Sequence, residues 1–165
     1  MDEAITEYET VLALDRNHLS AFAHIGRCKI LIGLIEEGVA AQEQALRLSP
    51  RDPAIGTFYY RIGQAHLFQS RVEEAIAWLG KARSASPNMA PWAAYLASAY
   101  ALHGDGEKAV AQLSEAQRLD GRGNFSSIAR VRQPLPGSRG GRGKFLELME
   151  ATYLAGLRKA GLHEE

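Results

Sequence analysis

Apolar residues recur three and four places apart through most of the first 121 residues, the spacing that puts them on one face of a helix. The pattern predicts helices near 2–15, 19–32, 36–48, 54–69, 72–85, 89–102 and 106–119. Punctuation between them agrees. Gly33 and Gly104 fall at turns, where a residue without a Cβ relieves strain, and Pro50 and Pro87 stop the helices before them.

These helices repeat in pairs. "DEAI" at 2–5 returns as "EEGV" at 36–39, "EEAI" at 73–76 and "EKAV" at 107–110. The small residues Ala4, Gly38, Ala75 and Ala109 are spaced by 34, 37 and 34. Four places on stand Tyr8, Gln42, Leu79 and Leu113; seven on, Val11, Ala45, Ala82 and Ala116; twelve on, Arg16, Pro50, Pro87 and Gly121. The upstream half repeats as Ile25-Gly26, Ile62-Gly63 and Leu96-Ala97, each followed three residues later by Lys29, His66 or Tyr100. Before them come Phe22, Tyr59 and Ala93, with Trp92 one place early.

Over residues 1–121 this resembles the tetratricopeptide repeat family. The resemblance implies an all-α solenoid of helix-turn-helix units, each with an A and a B helix. It divides the array into a lone B helix at 1–17 and units at 19–52, 56–89 and 90–121. Small residues on both helices let their axes approach, and large ones fill the space beside them. The 37-residue spacing places three extra residues around "DPA" at 52–54. A lone B helix leads us to expect a fragment of a longer chain, with its A helix upstream of Met1. A start placed inside a repeat, or a native capping helix, would give the same pattern.

Beyond Asp120 the period ends, and 122–165 reads as a C-terminal tail. "GRGNFSSIARVR" at 121–132 predicts a short helix capped by Asn124 or Ser126. The Gly, Pro and Arg content of 133–143 predicts an exposed loop. "KFLELMEATYLAGLRKAG" predicts a helix over 144–160 with Gly161 as its stop. Phe145, Leu148, Met149, Thr152 and Gly156 share one face, which would cap the stack or make a homo-oligomer. "FSSIAR" at 125–130 and "EATYLAGLRKAGLHEE" at 150–165 resemble the C-termini of bacterial proteins in which such an array follows a class III adenylate/guanylate cyclase or a winged-helix domain.

Charge narrows the choice of partners. Lys and Arg number 19, as do Asp and Glu, so the whole chain carries no field favouring nucleic acid or membrane. Cys28 is the only cysteine, which excludes an internal disulfide and suits a reducing compartment. No apolar run approaches the ~20 residues of a spanning helix, and the acidic start is unlike a signal peptide. The expectation is a cytoplasmic protein.

Candidate chemistry is sparse. "SRGGRGK" at 138–144 lacks the first glycine and the final hydroxyl of a phosphate loop. Six cations at Arg122, Arg130, Arg132, Arg139, Arg142 and Lys144 could meet phosphates, but no aromatic interleaves 133–143 for base stacking. Weak nucleic-acid binding is thus a secondary alternative. His24 and Cys28, four apart, are too few for a metal, and Cys28 reads as a buried core thiol. His66 reads as packed. Catalytic, cofactor and metal residues are therefore expected to be none, and the chain is not read as an enzyme.

What remains is the concave face that A helices line in such stacks. Its expected lining is Ala23, His24, Arg27 and Leu31, then Tyr60, Arg61, Gln64, Leu67 and Phe68, then Tyr95, Ser98 and Leu102. His24, Arg27, Tyr60, Arg61, Gln64, Phe68, Tyr95 and Ser98 form the candidate peptide groove, suited to an acidic or aromatic segment; the alternative is an ordinary polar-aromatic surface, or one covered by the chain's own tail helix. The clamp by which one variant of the family binds chaperone carboxylates is absent: its lysine and asparagines fall at Ala23, Arg27 and Arg61. The expected function is a protein–protein interaction scaffold, the non-catalytic part of a larger bacterial signalling protein such as a class III adenylate cyclase. A free-standing adaptor is the alternative.

Overall fold

The computed structural model describes residues 2–133 and 142–165. Seven helices come first: α1 (Asp2–Leu14), α2 (Leu19–Ile32), α3 (Ile35–Leu48), α4 (Ile55–Phe68), α5 (Val72–Ala85), α6 (Ala90–His103) and α7 (Gly106–Leu119). The short α8 (Ile128–Arg132) follows. The tail helix begins as α9 (Arg142–Leu148), passes through a π-helical stretch (Met149–Leu154) and ends as α10 (Ala155–Lys159). The described residues form an all-α stack of helix-turn-helix units in which α2 pairs with α3, α4 with α5 and α6 with α7.

Local chemistry sets the ends. The B helices α3 and α5 begin with Glu36-Glu37 and Glu73-Glu74, and α7 with Glu107; they end near Arg47, Arg83 and Arg118. Both placements match the helix dipole. The Asp105 side chain caps α7 by accepting from Lys108 N, and His18 Nδ1 caps α2 by accepting from Ala21 N. Gly33 and Gly104 close α2 and α6 in the left-handed conformation, at φ 89° and 98°.

Within a unit the small residues meet. A Cβ on Gly26 would lie 2.8 Å from Gly38 O, and one on Gly63 would lie 2.7 Å from Leu79 Cγ. Only glycine allows these approaches. Gln42, at the place of Leu79, spans the first crossing by donating from Nε2 to Ala23 O at 2.8 Å.

The extra residues of the 37-residue spacing are divided between two loops. Two lie in the Ser49–Ala54 connection, six residues where Ser86–Met89 has four. The third lengthens the α4–α5 turn to Gln69-Ser70-Arg71, against Gly104-Asp105 in the next unit. Ser70 takes the positive φ there, 58°. The α8 cap also differs from expectation. Ser127, not Asn124 or Ser126, accepts from Arg130 N, because Asn124 and Ser126 are held by Asp120 and Gly123 O. Cys28 is half-buried rather than buried.

The tail helix lies across the A helices. α9 packs on α2, the π-helical stretch on α4 and α6, and α10 on α6. Beyond it, Ile128 N donates to His163 O at 2.8 Å and Ala129 N to Glu164 O at 3.0 Å. Glu150 joins Arg132 and Arg158 at the same end. The segments 125–130 and 150–165 are thus one locked unit.

Candidate functional site

The A-helix face has two parts, one covered by the tail and one open. Under the tail, Tyr153 stacks on Tyr95 with centroids 3.8 Å apart. Ser98 Oγ donates to Tyr153 O at 2.9 Å. Gly156 rests on Ser98 so closely that a Cβ there would lie 2.5 Å from the Ser98 carbonyl oxygen. Phe145 meets Phe68 edge-on at 5.6 Å, and the Lys144 stem crosses Gly33. The face predicted for capping or oligomerisation, with Met149, Thr152 and Gly156 buried, is thereby turned onto the chain's own groove.

A polar relay leads from this covered part to the open one. Gln64 is 2 % exposed, and its Nε2 donates to Tyr95 Oη at 2.7 Å and to Tyr60 Oη at 3.3 Å. Arg61 Nη1 donates to Gln64 Oε1 at 3.1 Å, and its guanidinium lies 5.1 Å over the Tyr60 ring. A buried amide is thereby satisfied and Arg61 is held in one direction.

The open part is a cationic mouth. Arg27 and His24 are exposed, and Arg61 is half-buried. Tyr8 stacks on His24 at 4.9 Å. Burial, then the positive charges of Arg27 and Arg61, hold the His24 pKa below its ordinary value. Burial raises the Tyr60 pKa, with Arg61 and Arg27 pulling the other way. Both arginines therefore act on one small region. Neither has a carboxylate partner among the described residues.

The eight residues singled out from sequence lie together on this face. Tyr60, Gln64, Phe68, Tyr95 and Ser98 are buried, the last three with tail residues against them; His24, Arg27 and Arg61 line the mouth. The sequence left open that the tail helix covers this face, without naming Tyr153, Phe145 and Gly156 as the occupants. The available signal was α6 itself: "APWAAYLASAYALH" is apolar all round, which marks a helix covered on every side.

Other candidates fare differently. Arg132 and Lys144 of the basic tail pair with Glu150 and Glu147. Residues 134–141, which hold Arg139 and most of "SRGGRGK", lie outside the described residues. Among the described residues no group of three or more His, Cys, Asp or Glu could hold a metal, and no helix is long and apolar enough to cross a membrane.

The fold and this face define a helical-repeat protein. Residues 19–52 and 56–89 each match the family model described as tetratricopeptide repeat, and the chain carries the helix-turn-helix fold of such proteins. A MamA crystal structure superposes with a TM-score of 0.65 at 20 % identity, covering 96 % of this chain and 85 % of that one. TTC0263, described as a thermophilic tetratricopeptide protein of Thermus thermophilus, gives 0.64 at 22 % identity, covering 96 % and 80 %. YrrB, described as a tetratricopeptide protein with an unusual peptide-binding site, gives 0.62 at 19 %, covering 97 % and 79 %. No curated protein matches the chain in sequence. These likenesses are ones of fold, an all-α stack of helix-turn-helix units.

Proposed function

We propose that this scaffold holds an acidic, aromatic segment of a partner protein at the mouth formed by His24, Arg27, Tyr60 and Arg61. One observation carries the reading: two arginines from successive A helices act on the same histidine and tyrosine, with no carboxylate of the described chain to neutralise them. An incoming carboxylate would meet donors already oriented by Gln64 and Tyr60, and an aromatic side chain would lie beside the Tyr8–His24 stack at the open part. The peptide-binding description of the neighbour YrrB supports a peptide as the kind of ligand.

The test is fluorescence anisotropy with a labelled peptide of alternating acidic and aromatic residues. Saturable binding that weakens with salt, and is lost in the folded Arg27→Glu/Arg61→Glu variant, is the expected result. Equal binding by that variant, or by a peptide with lysines for the acids, places the interface elsewhere.

A second reading concerns context. The paired segments 125–130 and 150–165 are the ones that resemble the C-termini of bacterial cyclase and winged-helix proteins, and their mutual hydrogen bonds support treating them as one inherited unit. On that support we place the scaffold as the cytoplasmic regulatory or assembly region of such a signalling protein, with a free-standing adaptor as the rival. Sequencing the transcript around the Met1 codon separates the two.

A further inference from the structure

Places that match between repeats differ in what they hold. The second unit sets Trp78 of α5 beside Tyr59 of α4, with ring centroids 5.8 Å apart. Lys81 Nζ lies 4.1 Å over the indole. The 37-residue shift that carries Gly63 to Gly26 and Ala75 to Gly38 also carries Tyr59 to Phe22 and Trp78 to Ala41. The first unit therefore keeps the aromatic floor and lacks the indole.

An open cleft of about 390 Å³ stands at that place. Leu12 of α1, Phe22 and Ile25 of α2, and Ala40 and Ala41 of α3 give it an apolar lining. Gln44, at the place of Lys81, fixes a cation at the rim: Arg47 Nε and Nη2 donate to Gln44 Oε1 at 3.0 and 2.8 Å. Arg47 is exposed and has no carboxylate partner among the described residues. A positive charge thus borders the indole place in both units. Phe22, Ile25 and Lys29 share one face of α2 by their spacing, and His24 and Arg27 lie on the opposite one, so the cleft is separate from the cationic mouth. In the second unit α5 packs on α4 and α6. A helix preceding α1 would stand to α3 as α2 stands to α5, and would leave the cleft open.

We propose that this cleft takes a tryptophan side chain of a partner protein, with an acidic residue beside it to meet Arg47. The chain supplies its own template, because the same helical frame holds an indole on Tyr59 under a cation. Phe22 receives the incoming ring as Tyr59 receives Trp78, and Arg47 meets the ring face and the neighbouring carboxylate. Glu9 lines the α1 rim, which turns the partner's acid toward α3. A second copy of the chain is not the source: its two tryptophans are Trp78, packed on Tyr59, and Trp92, packed on Tyr60.

The probe is a glycine-serine peptide with one Asp-Trp pair and a fluorinated indole, followed by fluorine nuclear magnetic resonance as the full chain is added. One saturable site is expected, for which the same peptide with alanine in place of tryptophan does not compete. Ala41→Trp gives the first unit the indole of the second. That variant should keep or raise the melting temperature and weaken peptide binding at least about tenfold. Arg47→Ala should weaken binding about two- to fivefold, the scale of one exposed cation–π contact. Arg27→Glu/Arg61→Glu should leave it unchanged at physiological ionic strength. Absence of saturable binding, equal competition by the alanine peptide, or undiminished binding by the Ala41→Trp or Arg47→Ala protein overturns the proposal. So does a lowered melting temperature of Ala41→Trp, because the cleft then does not accept an indole. Loss of binding in Arg27→Glu/Arg61→Glu overturns it too, because the mouth is then the site.

Discussion

The ring of Tyr153 lies on the ring of Tyr95 with the two planes 7° apart, joining the tail helix to the centre of the A-helix face. Both residues are buried, and Tyr95 also takes the Gln64 hydrogen bond that leads to Arg61. The stack therefore couples tail docking to the geometry of the cationic mouth. Tyr153→Ala removes a buried aromatic and should cost about 3–5 kcal/mol in chemical denaturation. A loss below about 1 kcal/mol would mean that the tail contributes little to the fold.

Gly63 and Gly80 make opposite predictions from the same substitution type. A Cβ on Gly63 meets Leu79 Cγ at 2.7 Å and Leu79 N at 3.0 Å, and the second contact is backbone, which cannot swing away. Gly63→Leu should destabilise by at least about 1–3 kcal/mol through overpacking. Gly80 lies inside α5 with nothing within 4 Å of its would-be Cβ. Gly80→Ala should stabilise by about 0.5–1 kcal/mol through helix propensity. Thermal melts of both variants check the pair, and a shift of the same sign in both contradicts it.

Ser70 occupies the left-handed turn position that glycine fills at Gly33 and Gly104. A Cβ costs about 1–2 kcal/mol in that conformation, offset in part by the looser unfolded chain of a glycine variant. Ser70→Gly should therefore raise stability by about 0.5–1 kcal/mol. An unchanged or lower melting temperature would show that the longer turn relaxes the strain itself.

The repeat frame was legible because close helix crossings demand small residues, and Gly26, Gly63 and Ala97 recur in register with Gly38, Ala75 and Ala109. The turn at Ser70 was not, since serine gives no warning of a positive φ. Nor did the tail state which apolar surface it covers. Its stripe from Phe145 to Gly156 fits any groove of suitable width; the Gly156–Ser98 approach depends on tertiary register, which periodicity does not encode. The mouth was half legible. Arg27 and Arg61 fall at matching places in sequence, while the relay through Gln64 to Tyr95 needs two helices at a set distance.

His24 makes the mouth sensitive to pH. Burial, Arg27 and Arg61 hold its folded pKa below the ordinary value of about 6.5. The unfolded chain thus binds the proton first, so this contribution to stability is full above about pH 6.5 and is lost as pH falls through the folded pKa. A bound carboxylate acts in the reverse direction and raises the His24 pKa, so acidic-peptide affinity should rise as pH falls from about 7 to 6. Arg27→Glu/Arg61→Glu should raise the His24 pKa with no ligand present. Histidine titration by nuclear magnetic resonance measures both, and a His24 midpoint unmoved by the double substitution contradicts the convergence of the two arginines.

At the alkaline end the tyrosines report whether the tail seals the groove. Burial is the leading cause that raises the pKa of Tyr60, and raises those of Tyr95 and Tyr153 well above the ordinary phenol value of about 10. Once unfolded, these phenols ionise near that ordinary value; in the fold they stay protonated. Above it the unfolded chain binds fewer protons than the folded one, so the stability they contribute is full below about pH 10 and is lost as pH climbs toward the folded values. Of the six tyrosines, Tyr60, Tyr95 and Tyr153 should therefore stay silent in an absorbance titration until the helices melt. Tyr153→Phe removes one of the three and should lessen the alkaline loss while keeping the ring stack. Six tyrosines ionising together near pH ~10, with circular dichroism still helical, would show that water reaches the groove and that the tail does not hold it closed.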